Sequence, residues 1–273
     1  GSVTSLFVRK MVAAAGSDVD SRKLLASVGI DELADPDPKL MVADTAYYGL
    51  LEEMARHIDV TDLPLRTGAS MRCDNYGALG LAFKAAPTLN GSYARVARYA
   101  RLWTSVVEYQ LEPEGENTWF TLHRAGVRRL GLRLSNEATL ASATALAREV
   151  TSSGRFAPLE VHLQHLPPKD TSYHSAYFGC PVCFGSDRDA LLISRTSMNT
   201  PNKLGDAAIS QFLIGHLDQE LAESTGAGSL RDALRDAIAR SLSEGLPKMD
   251  DVARRLGMSA RSLHRRLAAA GLS

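Results

Sequence analysis

The chain has 273 residues, 45% of them hydrophobic and 23% charged, and a formal net charge of zero. That is the composition of a soluble globular protein of one or two domains, long enough to bury a sizeable core. Three cysteines, Cys73, Cys180 and Cys183, are too few and too odd in number for a secreted disulfide framework. The sequence shows no apolar run able to span a bilayer and no signal-peptide pattern, so a cytoplasmic protein without a membrane partner is expected. Gly1-Ser2, with no initiator Met, reads as an expression-vector scar.

The first third reads as helices. "SLFVRKMVAAAG" sets Leu6, Phe7, Met11 and Ala14 on one stripe and stops at Gly16. "DVDSRKLLASVGI" places Leu24, Leu25 and Val28 on one side, and the two prolines of "LADPDPKLMV" interrupt the helical pattern there. "DTAYYGLLEEMARHI" restarts with Asp44 as N-cap. A Gly/Ala-rich helix then breaks at Pro87, and another runs from about Asn90 with Val96, Tyr99 and Trp103 at helical spacing.

From Ser105 the period changes to two. "VEYQLE", "PEGEN" and "TWFTLHRA" form a hairpin signal. "SNEATLASATALAREVTSS" is helical from a Ser135 cap, "PLEVHLQHLP" is a strand, and "DTSYHSAYFG" is a short helix. "CPVCFGSDRDALLISRTS" reads as another hairpin-like pair. The expected fold is α+β, a small antiparallel sheet with helices against one face. "NKLGDAAISQFLIGHLDQELAES" is a long amphipathic helix with Ile209, Phe212, Leu213, Leu217 and Leu221 on one side. It suits packing on its own domain and a relay role. "TGAGS" is the best linker in the chain, so the expected domains are 1–225 (helical 1–104, α+β 105–225) and 226–273.

The tail is basic, with nine Lys/Arg against five Asp/Glu from Gly228 to Ser273, which leaves the remainder at 22 against 26. After one helix, "KMDDVARRL", "GMS" and "ARSLHRRLAAAG" read as helix, turn, helix. Val252, Ala253 and Leu256 pack, Gly257 takes the left-handed turn position, Ser259 caps, and Leu263 and Leu267 face inward. That leaves Arg261, His264 and Arg265 outward on the first turns, where a recognition helix meets base edges. Arg254, Arg255 and Arg266 lie to the sides, placed for phosphates. The alternatives are a helical hairpin with a solvated basic face, or a tail that binds protein.

"DDVARRLGMSARSLHRRLAAAGLS" resembles the first helix-turn-helix of AraC/XylS-type bacterial transcription regulators. The resemblance implies double-stranded DNA as partner, base reading by Arg261, His264 and Arg265, and a second such unit in tandem. This chain holds one, so it reads as a regulator cut within its DNA-binding domain. "LPLRTG", "YGALGLAFKAAPTL", "ARYARLW" and "YHSAYFGCPVCFGSDRDALLIS" resemble, in order, the α+β sensor domain of a subgroup with ornithine-utilisation and mycobacterial virulence regulators. The family's commoner cupin-like barrel does not match the helical start. Membership implies a small-molecule effector and homodimerisation, with RNA polymerase as a further candidate partner.

An enzyme finds little support. "CPVC" offers a Cys-x-x-Cys pair, Cys180 and Cys183, but a strand-like run follows it where a redox motif opens a long helix. His162, His165 and His174 with these cysteines match no zinc spacing, so no metal and no cofactor are expected. For an effector pocket the informative residues are Arg98, Tyr99, Trp103, Tyr109 and Trp119, with Arg98 suited to an anion.

Overall fold

The structure, a computed structural model, describes residues 1–152, 154–223, 249–256 and 259–269, without the side chains of Arg255, Arg266, Ala268 and Ala269. The expected linker, the helix after it and the Gly257 turn lie outside the described residues. The chain divides into two compact units, Gly1–Leu217 and Asp218–Ser273.

The first unit is α+β. Helices α1 (Ser5–Ala15), α2 (Ser21–Ser27), α3 (Asp44–Ala55), α4 (Leu63–Ser70), α5 (Gly77–Ala85) and α6 (Leu89–Tyr99) precede the main sheet. Two short strands, β1 (Ser2–Thr4) and β2 (Met41–Ala43), pair within this otherwise helical part. Thr4 caps α1 and Thr88 caps α6 through their side chains. Asp44 is the first residue of α3 rather than its cap, because Ala43 already holds the extended cap position. In α1 the buried stripe is Leu6, Val8, Met11, Val12 and Ala15. Phe7 and Ala14 flank this stripe, half-buried against the core.

The main sheet has order β3-β4-β7-β5-β6, with β3 (Val107–Glu114), β4 (Asn117–Arg124), β5 (Glu160–Leu163), β6 (Val182–Phe184) and β7 (Asp189–Ser194). The expected β3–β4 hairpin is present, turning at Gly115, whose φ of 60° suits glycine. The second expected hairpin is not. β6 runs parallel to β5, and β7 inserts antiparallel between β4 and β5. The apolar "ALLI" of β7 is buried on both faces and claims a central place, whereas short, half-exposed β6 after Pro181 suits an edge.

α7 (Leu130–Val150) is the axis of the unit, buried along most of its length. It starts well before Ser135, which therefore sits inside the helix and not at its cap. Gly68 lets α4 approach it so closely that a Cβ there would lie 2.3 Å from the Ala141 Cβ. One core joins α7 to the inner sheet face (Phe120, Val161, Leu191, Ile193) and to Tyr47, Leu51 and Met54 of α3. Two short helices, α8 (Ser172–Phe178) and α9 (Arg195–Met198), complete the α+β part.

Helix α10 spans residues 207–223. Leu213 and Leu217 are buried as expected, but Ile209 and Phe212 are 55% and 76% exposed. The inward stripe is Ser210–Leu213–Leu217, because Arg95 of α6 donates to the buried Ser210 hydroxyl and orients the helix on that side. In the second unit α11 (Met249–Arg255) and α12 (Ala260–Ala269) enclose a small core of Val252, Ala253, Leu263 and Leu267.

Candidate functional site

A cavity with about 80 Å³ of space for water-sized molecules lies inside the first unit. Its wall is aromatic: Phe7, Tyr47, Phe83, Tyr93, Tyr109 and Phe120 come from α1, α3, α5, α6 and the first two strands of the main sheet, and Tyr76 and Trp103 from the segments just before α5 and just after α6. Trp103 stacks on Tyr76 with ring centroids 4.6 Å apart. Among the described lining residues there is no Asp, Glu, Lys, Arg or His.

The polar part of the wall is a stripe on α7. Ser135, Thr139 and Ser142 recur at helical spacing and all face the cavity. Thr139 and Ser142 donate to carbonyls one turn back, those of Ser135 and Ala138, which leaves their oxygens as acceptors. Thr139 also accepts from Arg124 Nη2 at 3.1 Å, and the hydroxyls of Tyr47, Tyr109 and Tyr76 lie near Ser135, Thr139 and Ser142 respectively. Burial pushes the Tyr47 and Tyr109 hydroxyls up to about 12 and Tyr76 well above the ordinary tyrosine range. The three phenols are therefore neutral donors, and the site is suited to uncharged guests.

Two of the expected pocket residues, Trp103 and Tyr109, line this cavity. The other three do not. Arg98 is exposed, with its guanidinium 5.3 Å from the Tyr99 ring centroid. Tyr99 is buried away from the cavity. Trp119 belongs to the opposite sheet face, where it packs with Ala190 and Leu192, donates to Glu114 and lies beneath Arg188. Strand alternation explains the split: Trp119 and Phe120 are neighbours and point to opposite sides. Sequence reasoning missed the α7 stripe, although small hydroxyl residues at i, i+4 and i+7 in a mostly apolar helix were its visible signal.

A second polar cluster sits on another face of α7. Glu137, almost wholly buried, meets His174 Nε2 at 2.8 Å, His165 Nε2 at 2.9 Å and Arg133 Nε at 3.0 Å. Burial, the largest influence, raises its carboxyl, but the two histidines and Arg133 outweigh it and hold the group at about 2. His165 thus lies past the end of β5 and turns inward, joining His174 rather than opposing His162 along a strand.

In the second unit the Ser259 hydroxyl accepts from the Ser262 amide, so it caps α12. Leu263 and Leu267 are buried, and Arg261, His264 and Arg265 are exposed on the same helix. Arg254, also exposed, approaches Asp251 at 3.3 Å.

Residues 19–202 match the family described as the arabinose-binding domain of AraC transcription regulators, N-terminal. The chain belongs to that AraC-regulator family. The crystal structure of the transcriptional regulator CdpR from Pseudomonas aeruginosa is similar in fold, with a TM-score of 0.54 at 18% identity. The likeness covers 92% of this chain and 78% of that one. No curated protein matches.

For an AraC-family regulator, the matched region coincides with the unit that holds the cavity. Cys180 and Cys183 are free thiols, and burial pushes Cys180 up to about 11, opposite to the activation a redox thiolate requires. Among the described residues no helix is long and apolar enough to cross a membrane.

Proposed function

We propose that this AraC-type regulator senses a neutral, largely apolar small molecule with one or more hydroxyl or carbonyl groups. The observation that carries this reading is the cavity wall, which is aromatic, uncharged and crossed by the Ser135–Thr139–Ser142 stripe. The nearest guanidinium, that of Arg124, stands behind the wall and is committed to Asn136, Tyr48 and Thr139. An anion in the cavity would therefore lose its hydration without a direct ion pair, at a cost of several kcal/mol, about the penalty for burying an unpaired ion. The ring stack of Trp103 and Tyr76 supplies a flat wall for an aromatic or conjugated guest, and the tyrosine hydroxyls supply donors.

The second unit supplies DNA reading. Arg261, His264 and Arg265 meet base edges, while Arg254, Arg255 and Arg266 contact phosphates and Ser259 holds the start of the helix. The regulator acts as a cytoplasmic homodimer, on double-stranded DNA and with RNA polymerase as a further partner. Effector binding shifts the balance between DNA-competent and incompetent arrangements, which requires different affinities for the two. A relay within the first unit runs through α6: Val96 lines the cavity, and adjacent Arg95 donates to Ser210 on α10.

The test is a thermal-shift screen with matched pairs of small aromatics, an alcohol and its carboxylate, such as benzyl alcohol and benzoate. The alcohols are expected to raise the melting temperature and the carboxylates to leave it unchanged. Stabilisation by carboxylates alone would overturn the reading.

A further inference from the structure

We propose that Glu160, His162 and Cys183 form a site for a divalent transition metal of the zinc class. It lies on the sheet face opposite the cavity and is independent of the effector reading. One carboxylate oxygen, one imidazole nitrogen and one thiol sulfur lie within 4.8 Å of one another. The fold brings them together because β5 and β6 run parallel in a register that sets His162 beside Cys183. Glu160 lies two residues before His162 and shares its face of the strand.

The hydrogen bonding around His162 orients it for a metal. Ser186 Oγ lies 2.8 Å from His162 Nδ1 and donates its own proton to Asp187 Oδ1 at 3.3 Å. In the tautomer protonated at Nδ1, the serine oxygen accepts from Nδ1–H. Nε2 then offers its lone pair to an ion, and it lies 2.9 Å from Glu160 Oε2, so both can turn to one metal. The third donor, Cys183 Sγ, makes the site selective for a metal. A thiolate with imidazole and carboxylate suits zinc and cobalt(II) rather than magnesium or calcium. The Asp187–Ser186–His162 chain is the outer-shell support that such ligands characteristically carry.

The site is also held and reachable. Trp119 packs edge-on against the His162 ring, with centroids 4.8 Å apart. The Glu160 side chain is 44% exposed and that of His162 20%, so an ion can enter from solvent. A tetrahedral zinc holds its ligand atoms roughly 3.2–3.6 Å apart, a spacing close to the 2.9 Å between His162 Nε2 and Glu160 Oε2 and inside the 4.8 Å that bounds all three. Three protein ligands leave the fourth position to water.

Titration of the whole chain with cobalt(II) tests the proposal. The expected result is one ion per chain, with the near-ultraviolet charge-transfer absorption of a cobalt thiolate, abolished by added zinc. Cys183→Ser should remove the band and Cys180→Ser should retain it. His162→Gln and Glu160→Gln should each weaken binding at least tenfold. Ser186→Ala, which leaves all three ligands in place, should weaken it by about tenfold or more. Circular dichroism of each apo variant checks that the fold persists, and Ser186→Ala decides the matter should a ligand variant misfold. Absence of the band, its survival in Cys183→Ser, or an unchanged affinity in Ser186→Ala would overturn the assignment.

Discussion

Replacing Ala138 with leucine puts three carbons where the cavity now is. Ala138 lines the cavity from α7 and is only 6% exposed. Each methylene that finds a void contributes about 0.8 kcal/mol, so complete accommodation gives about 2.4 kcal/mol. Leucine gives up only a few tenths of a kcal/mol to alanine in helix propensity. A fully packed interior would instead lose roughly 1–3 kcal/mol to overpacking. The two cases therefore differ in sign. For a unit of this size each kcal/mol moves the melting temperature by roughly 2–4 °C. Ala138→Leu is expected to melt at or above the parent temperature, followed by thermal and urea unfolding. Its response to benzyl alcohol should weaken at least tenfold, because the added side chain occupies the guest's space. A clear fall in melting temperature with undiminished alcohol binding would refute both the void and its role.

Other expectations concern the ion cluster, the helix contact, the relay and the DNA-reading helix. Glu137 titrates near 4.5 when unperturbed and at about 2 in the fold, so its contribution is complete above pH 4.5 and is lost as pH falls from there towards 2. The shift corresponds to about 3 kcal/mol, and Glu137→Gln should flatten this acid limb of urea-unfolding stability. Gly68→Ala forces a Cβ to 2.3 Å from that of Ala141, and should cost roughly 1–3 kcal/mol by the same assay. With the chain extended through a second helix-turn-helix unit, Arg95→Gln should preserve ligand affinity while reducing the ligand's effect on DNA binding, measured by fluorescence anisotropy. In the same extended chain Arg265→Ala should relax selection at one base pair by roughly 1–3 kcal/mol in a competition series, whereas uniform weakening would demote it to a phosphate contact.

Much of the fold is legible in the sequence because local signals agree with the final packing. The β3–β4 hairpin announces itself by alternation around a glycine turn, and the first helices by apolar spacing and breakers, although two expected caps, Asp44 and Ser135, lie within their helices. The failures are long-range. The β6–β7 pairing looks local because the segments are adjacent, yet β7 prefers the more buried position between β4 and β5, a choice set by partners far away in the chain. Ile209 and Phe212 look inward by hydrophobicity alone, and the Arg95–Ser210 bond that turns them outward has no sequence signature.

The candidate site divides in the same way. Trp103 and Tyr109 stand out as aromatics near the helix-to-sheet passage, and both line the cavity. Trp119 stands out on the same ground and lies on the other face, one strand position out of phase. Reading Ser135 as a cap hides the α7 stripe, because it shortens the helix and removes the i, i+4, i+7 pattern. His162 and Cys183 are visible as possible metal ligands, but their meeting is not, because the parallel β5–β6 register joins residues about twenty positions apart; Glu160, two positions before His162, gains meaning only once that pair is formed.

The central claim is an uncharged cavity that takes neutral guests, and the Trp103 indole N–H resonance reads it most directly. The chain has two tryptophans, so Trp119→Phe leaves Trp103 as the single indole signal. Titration with benzyl alcohol should move that resonance saturably, and benzoate at the same concentrations should not. A saturable shift with benzoate, or none with the alcohol, would contradict the account.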